Sequence, residues 1–159
     1  IIRSNLTEKT VPYFLFAIPI PLILLEYYFA KKANKIGFKK MFKLGFLIVS
    51  LLALSCFFIS NIYAILGLLI LASVGIAMLE PTTEAYFFDI SSKQEAQRFY
   101  GPYNTTIDLN KFSGQILAAT VLLFLPFKYI FILFSLLMFA MFLVSFKTKN
   151  IIESRRKEK

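Results

Sequence analysis

Glu80 and Glu84 stand four residues apart and share one face if the chain is helical there. Two carboxylates one turn apart in a low dielectric repel, so one of them holds its proton more tightly. Such a pair can carry protons or hold a cationic solute. The other reading ends the helix near Pro81 and leaves both acids solvated or paired with loop lysines. A second series, Asn104, Asp108, Lys111 and Gln115, is spaced by four, three and four residues and forms one stripe. Lipid should not touch that stripe, which must meet another helix or a wet cavity. Asp108 and Lys111 also suit a local neutralised pair near an interface, with the lysine reaching toward water. Glu80, Glu84, Asp108, Lys111 and Gln115 are therefore the candidates for contact with a solute or a proton.

Other chemistries are poorly served. The chain has no histidine, so the commonest acid–base group and metal ligand is missing. There is no H-E-x-x-H, no phosphate-cradling glycine loop and no G-x-S-x-G. Glu80, Glu84 and Asp89 do not complete a ligand set for a divalent ion. The sequence predicts no enzyme, no catalytic residue, no cofactor and no resident metal. The one cysteine, Cys56, lies in an apolar run and makes no intrachain disulfide.

The elements that must position these residues are greasy. The 159 residues are 58% hydrophobic, with a mean hydropathy of +0.69. Soluble domains sit near about 45–50% apolar, and here the excess falls in long runs. Roughly 20 apolar residues in a helix cross a bilayer core. Five segments fit: about 11–30, 44–60, 62–88 (apolar to Leu79), 104–125 and 129–146. The runs do not alternate, which argues against a barrel. The fold class expected is all-α, a polytopic transmembrane helix bundle forming one membrane domain, with the lipid bilayer as its partner. If the third helix persists to Ile90, Glu80 lies about 15 Å from its end, at membrane depth.

Basic residues orient the spans. The loop 31–43 holds six lysines and no acid, the tail 147–159 holds six basic residues, and the loop 89–103 holds Lys93 and Arg98. The opposite side has only Arg3, Lys9 and Lys128. Positive loops stay cytoplasmic, so the leading segment is expected outside and the C-terminus inside, in the cell (plasma) membrane. The same distribution, between apolar runs rather than on a folded face, argues against nucleic acid as the partner of the +9 net charge. Asn5-Leu6-Thr7 is a glycosylation sequon on the outer side, relevant only in a secretory setting and readily met by chance. In the 89–103 loop, Ser92 and Glu95 form a capping-box pattern. It predicts a short surface helix to about Tyr100, ended by Gly101-Pro102, where the fourth span begins. Tyr86, Phe87, Phe88, Phe99, Tyr100 and Tyr103 suit an interfacial aromatic belt.

The spans differ in kind. The second and fifth carry no charge, and their serines can bond their own backbones, so these two can face lipid all round. The first carries Glu26 near its inner end and Pro19 and Pro21 in mid-span, which permit a kink. The third carries Glu80 and Glu84. The fourth carries the polar stripe together with Ser113, Gly114, Ala118 and Ala119, small residues that allow close helix approach.

Two places resemble the major facilitator superfamily of transporters, in its C-terminal half from the eighth to the twelfth helix. That family has a cytoplasmic loop of the form G-x-x-x-D-R-x-G-R-R. Ala30 to Lys39 reads A-K-K-A-N-K-I-G-F-K, matching at Lys35, Gly37 and Lys39 and departing at Ala30, Asn34 and Phe38. Gly37 is the tight-turn residue, since glycine tolerates positive φ. The family's tenth helix has a proline near its inner end, then an aromatic, an Asp or Asn, and a loop arginine; Pro81, Tyr86, Asp89 and Arg98 follow that order. The resemblance implies that the charge-free second and fifth spans are the peripheral ninth and twelfth helices. An N-terminal half fits less well, because the G-P-x-x-G signature of the family's fifth helix is absent from Thr105 to Leu125 and the chain ends in a charged stretch.

What the resemblance implies is secondary active transport of a small solute by alternating access, with a proton gradient as a candidate driving force. Lys35, Gly37, Lys39, Asp89 and Arg98 would form a cytoplasmic gate. In that family the solute sits between two halves, so this chain is expected to be a fragment that needs the missing N-terminal half of the same transporter. Its start at Ile1 rather than Met, with no signal-peptide pattern, agrees with that expectation. The alternative is a non-transporting membrane scaffold or accessory subunit.

Overall fold

The structure, a computed structural model, describes residues 11–148. The sequon at Asn5 and the end of the basic tail lie outside them. Among the described residues there are six helices and no strand: α1 (Val11–Ala17), α2 (Pro19–Ile36), α3 (Phe38–Phe58), α4 (Ile62–Ile90), α5 (Lys93–Phe124) and α6 (Tyr129–Ser145). The protein is an all-α bundle of the kind the apolar runs predict. Three helical stretches are long and apolar enough to cross a membrane: Pro12–Ala33, Phe38–Phe58 and Ile62–Ile90. Tyr129–Ser145 is apolar but has 17 residues, and α5 is long but interrupted by its polar stripe.

Local rules explain most boundaries. α1 and α2 form one rod broken at Ile18, just before Pro19, which opens α2 where its missing N–H costs nothing. Asn61 caps α4, its Oδ1 accepting from the Tyr63 and Ala64 amides. Ser92 and Glu95 complete the predicted capping box at the start of α5. Both hydrogen bonds to Ser92 hold the Glu95 carboxyl below its ordinary range, the backbone one first.

Three expectations need correction, and one open alternative closes. The basic segment 31–43 is not a loop: α2 runs to Ile36, α3 starts at Phe38, and only Gly37 stands between them. Gly37 has φ 102° and its N–H closes α2 on the Ala33 carbonyl at 2.9 Å, a conformation that favours glycine. Of the two readings open for the third helix, the continuous one holds: it does not stop at Pro81. It continues to Ile90, 29 residues in all, or about 43 Å at 1.5 Å per residue. Just past the proline, the Thr82 and Thr83 hydroxyls bond the Met78 and Leu79 carbonyls. Nor does Gly101-Pro102 end a short helix, because α5 is continuous through it. Proline restricts its predecessor by a clash with that residue's Cβ, and Gly101 has none.

The last correction concerns α3, the charge-free span that could face lipid all round and that the resemblance makes peripheral. It is the centre of the bundle, packed between α4 and α6, and 39% of its span is buried. Phe38, Met41 and Phe42 join Phe29 and Ala33 of α2 and Ala77 and Met78 of α4 in the main apolar cluster. α3 and α4 cross at glycine on glycine: a Cβ on Gly75 would lie 2.5 Å from Val49 Cγ2 and 3.2 Å from the Gly45 carbonyl oxygen. On its other side, Ser50 Oγ donates to the Ser135 carbonyl at 3.0 Å and Ser135 Oγ donates to the Ser50 carbonyl at 2.9 Å. The serines bond across helices rather than only within them. Ser55 does bond its own helix, at the Leu51 carbonyl.

Candidate functional site

α2 and α4 pack along each other, and the packing leaves an open groove of about 500 Å³. Ile23, Glu26, Tyr27 and Ala30 form the α2 wall; Pro81, Glu84, Ala85 and Phe88 form the α4 wall. Each set is spaced by three, one and three residues, so each is a single helical face. The groove is apolar apart from its two carboxylates and the Tyr27 hydroxyl. Glu26 and Glu84 both remain exposed, as charged groups in an apolar groove must unless they are paired. Glu80, one turn before Glu84, is also exposed.

This arrangement differs from the pairing that spacing suggested. Glu80 and Glu84 share a continuous helix, but the groove sets Glu84 against Glu26 of another helix. The sequence contains the signal for it in the matched three-one-three patterns. Which helices lie side by side is a tertiary fact that neither pattern states.

Aromatic stacking ties the start of α5 to the end of α4. Phe87 and Tyr103 stack at 4.5 Å between ring centres, and Phe88 and Tyr100 at 6.0 Å. Tyr86 turns the other way and meets Phe38 and Phe42 edge-on at 5.8 and 5.7 Å. The predicted belt is thus a ladder that places Tyr103, just before the fourth span, near the acids. Burial first, then the negative charge of Glu84, with Tyr100 and Glu80 behind, pushes the Tyr103 phenol above its ordinary range.

Beyond the ladder, α5 leaves the bundle. None of its residues is buried. Asp108 and Lys111 make an ion pair at 4.0 Å with side chains 80% and 72% exposed, and Asn104 and Gln115 are exposed as well. The polar stripe exists as spaced, but no helix of this chain among the described residues covers it. The local Asp108–Lys111 pair forms; Glu80 and Glu84 are one helix away from it.

The residues of the suggested gate gather at one end. Lys35 is on the last turn of α2, Gly37 is the buried corner, and Lys39 is half-buried on the first turn of α3. Asp89, half-buried, follows Tyr86 by three residues on the last turn of α4. Arg98 sits on α5, exposed, its guanidinium 5.7 Å from the Phe99 ring centre. Among the described residues no group of three His, Cys, Asp or Glu side chains is placed to hold a metal ion.

The family model described as Major Facilitator Superfamily matches residues 5–159. The chain belongs to the major facilitator superfamily. Members of this superfamily are transporters, and apolar helices with a groove between two of them suit that class. Comparison with curated proteins and with solved structures gave no match. As a superfamily member, the chain is a membrane protein of the transporter kind.

Proposed function

We propose that the chain is part of a secondary active transporter that moves a small solute by alternating access. The observation that carries this is the placement of Glu26 and Glu84 on facing walls of an apolar groove. Two carboxylates on facing walls present negative charge that suits a proton or a cationic group. Glu80 stands behind them. Asp108, Lys111 and Gln115 extend the polar path along α5. Lys35, Lys39, Asp89 and Arg98, around the Gly37 corner, act as the cytoplasmic gate.

In this reading the helices are the eighth to the twelfth of the superfamily: the kinked α1–α2 rod, then α3, α4, α5 and α6. The N-terminal half of the same transporter closes the cavity and covers the stripe of α5, whose exposure supports that assignment. Five crossings put the C-terminus in the cytoplasm of a plasma membrane, as the basic residues require. Solute transfer, not enzymatic turnover, is the activity.

The test uses the complete transporter in liposomes filled with a pH-sensitive dye, challenged with a panel of cationic, neutral and anionic solutes. Glu84→Gln and Glu26→Gln should each abolish solute-driven proton movement while insertion is unchanged. Undiminished flux in both variants would remove the groove from the mechanism. Asp89→Asn should alter the rate and leave insertion intact; loss of both would make it structural. A correctly inserted protein that moves no solute at all would be a scaffold.

A further inference from the structure

The last two turns of α2 carry a second recess, of which the transport reading uses only Lys35, in the gate. Lys31, Lys32 and Lys35, with Tyr28 and Ile36, line a hollow of about 400 Å³. Residues 28, 31, 32 and 35 again repeat the three-one-three spacing, but they lie on roughly the opposite side of α2 from the Glu26 groove at 3.6 residues per turn. No acid lines this hollow, and none occurs between Glu26 and Glu80 in the sequence.

We propose that this lysine hollow binds the phosphate headgroup of an anionic membrane lipid. Three observations support it together. First, the charge exceeds what the helix needs. A helix C-terminus presents about half a negative charge, and three lysines leave more than two positive charges over. Second, other lysines are engaged inside the fold. Lys43 lies over the Phe146 ring at 3.6 Å, and Lys128 donates to Ser60 Oγ at 3.0 Å. In the hollow Lys32 is held over the Tyr28 ring at 5.3 Å, which positions an ammonium at the rim. Third, the floor is apolar: Tyr28 and Ile36 are 54% and 38% exposed. An inorganic anion gains nothing from that floor, whereas the glycerol and upper acyl chain of a lipid do. The position agrees, because Lys31 to Lys35 straddle the end of the span-length stretch Pro12–Ala33, the level at which headgroups lie.

The test is native mass spectrometry of the purified full chain titrated with phosphatidylglycerol or phosphatidylcholine. Phosphatidylglycerol should bind at least about tenfold more tightly, and each Lys→Gln change at 31, 32 or 35 should weaken it roughly fivefold. The triple Gln variant should lose about 100-fold, while the triple Arg variant keeps the binding. Lys93→Gln, which removes the same charge elsewhere, should have no effect. Equal binding of phosphatidylcholine, a triple Gln variant that binds normally, or Lys93→Gln as harmful as Lys32→Gln would each overturn the proposal. So would displacement of the lipid by inorganic phosphate at equal concentration, which would mark a free-anion site. Circular dichroism of each variant identifies unfolding, and the triple Arg variant then decides: lost lipid binding in a folded triple Arg protein also overturns the proposal.

Discussion

α3 and α5 are opposites, and not in the way their residues suggest. α3 has no charge beyond its first turns and is the most deeply packed helix of the bundle. α5 has the polar stripe and no buried residue at all. In water an apolar helix goes inside and a polar one outside. In a bilayer that sorting disappears, because lipid tails are as apolar as leucine and small residues and hydrogen bonds decide which helices touch. α3 has both, in the Gly45–Gly75 crossing and the Ser50–Ser135 exchange. α5 has the small residues but no partner for them here: a Cβ on Gly114 would meet nothing within 4 Å.

The largest expected effect sets the two glycines against each other. Gly75→Leu pushes α4 off Val49 and the Gly45 carbonyl and should cost about 3 kcal/mol or more. Gly114→Leu should cost less than about 0.5 kcal/mol. Unfolding of the chain in detergent measures both, and equal costs would erase the contrast. Next comes the serine exchange. A double-mutant cycle on Ser50→Ala and Ser135→Ala should give a coupling of about 0.6–1.7 kcal/mol, the range for hydrogen bonds between membrane helices. A value near zero would leave packing alone to hold α6. The Asp108–Lys111 pair, mostly exposed, should couple by only about 0.3–0.5 kcal/mol in the cycle Asp108→Asn, Lys111→Gln. A coupling above about 2 kcal/mol once the proposed N-terminal half is added, but not without it, would sharpen the comparison by showing the stripe covered. Smallest is the capping box of α5. The Glu95 carboxyl is held below its ordinary range, so its contribution is present above the normal glutamate pKa. It fades as pH falls through the lowered value. Helix content at the start of α5, followed by NMR during acid titration, should drop on that limb and lose the limb in Glu95→Gln.

What could be read from the sequence was local. Gly37, Pro19, Asn61 and the Ser92–Glu95 pair act within a few residues, and each marks the boundary its chemistry dictates. Pro81 and Pro102 were harder, because a proline ends a helix only if its neighbours cannot compensate. Gly101 tips that balance before Pro102, and Pro81, itself buried, sits where α4 packs against α2 and α3. The place of α3 was not readable from polarity, since one apolar run serves lipid and core alike. Glu80 and Glu84 stood out in the sequence because one helix holds both, and of the two Glu84 lines the groove. Glu26 belongs to the same groove, but joining it to Glu84 requires knowing that α2 lies along α4, and no spacing within either helix records that.

The corner at Gly37 makes α2 and α3 intolerant of any change in length. One residue inserted there must either unwind a turn or rotate every side chain of α3 by about 100° about its axis. Such a rotation would carry Ser50 away from Ser135 and swing Val49 out from over Gly75, unseating both neighbours in one step. The hinge that joins the two helices therefore also sets their phase, and a deletion scan across 30–43 should find its sharpest intolerance at this position.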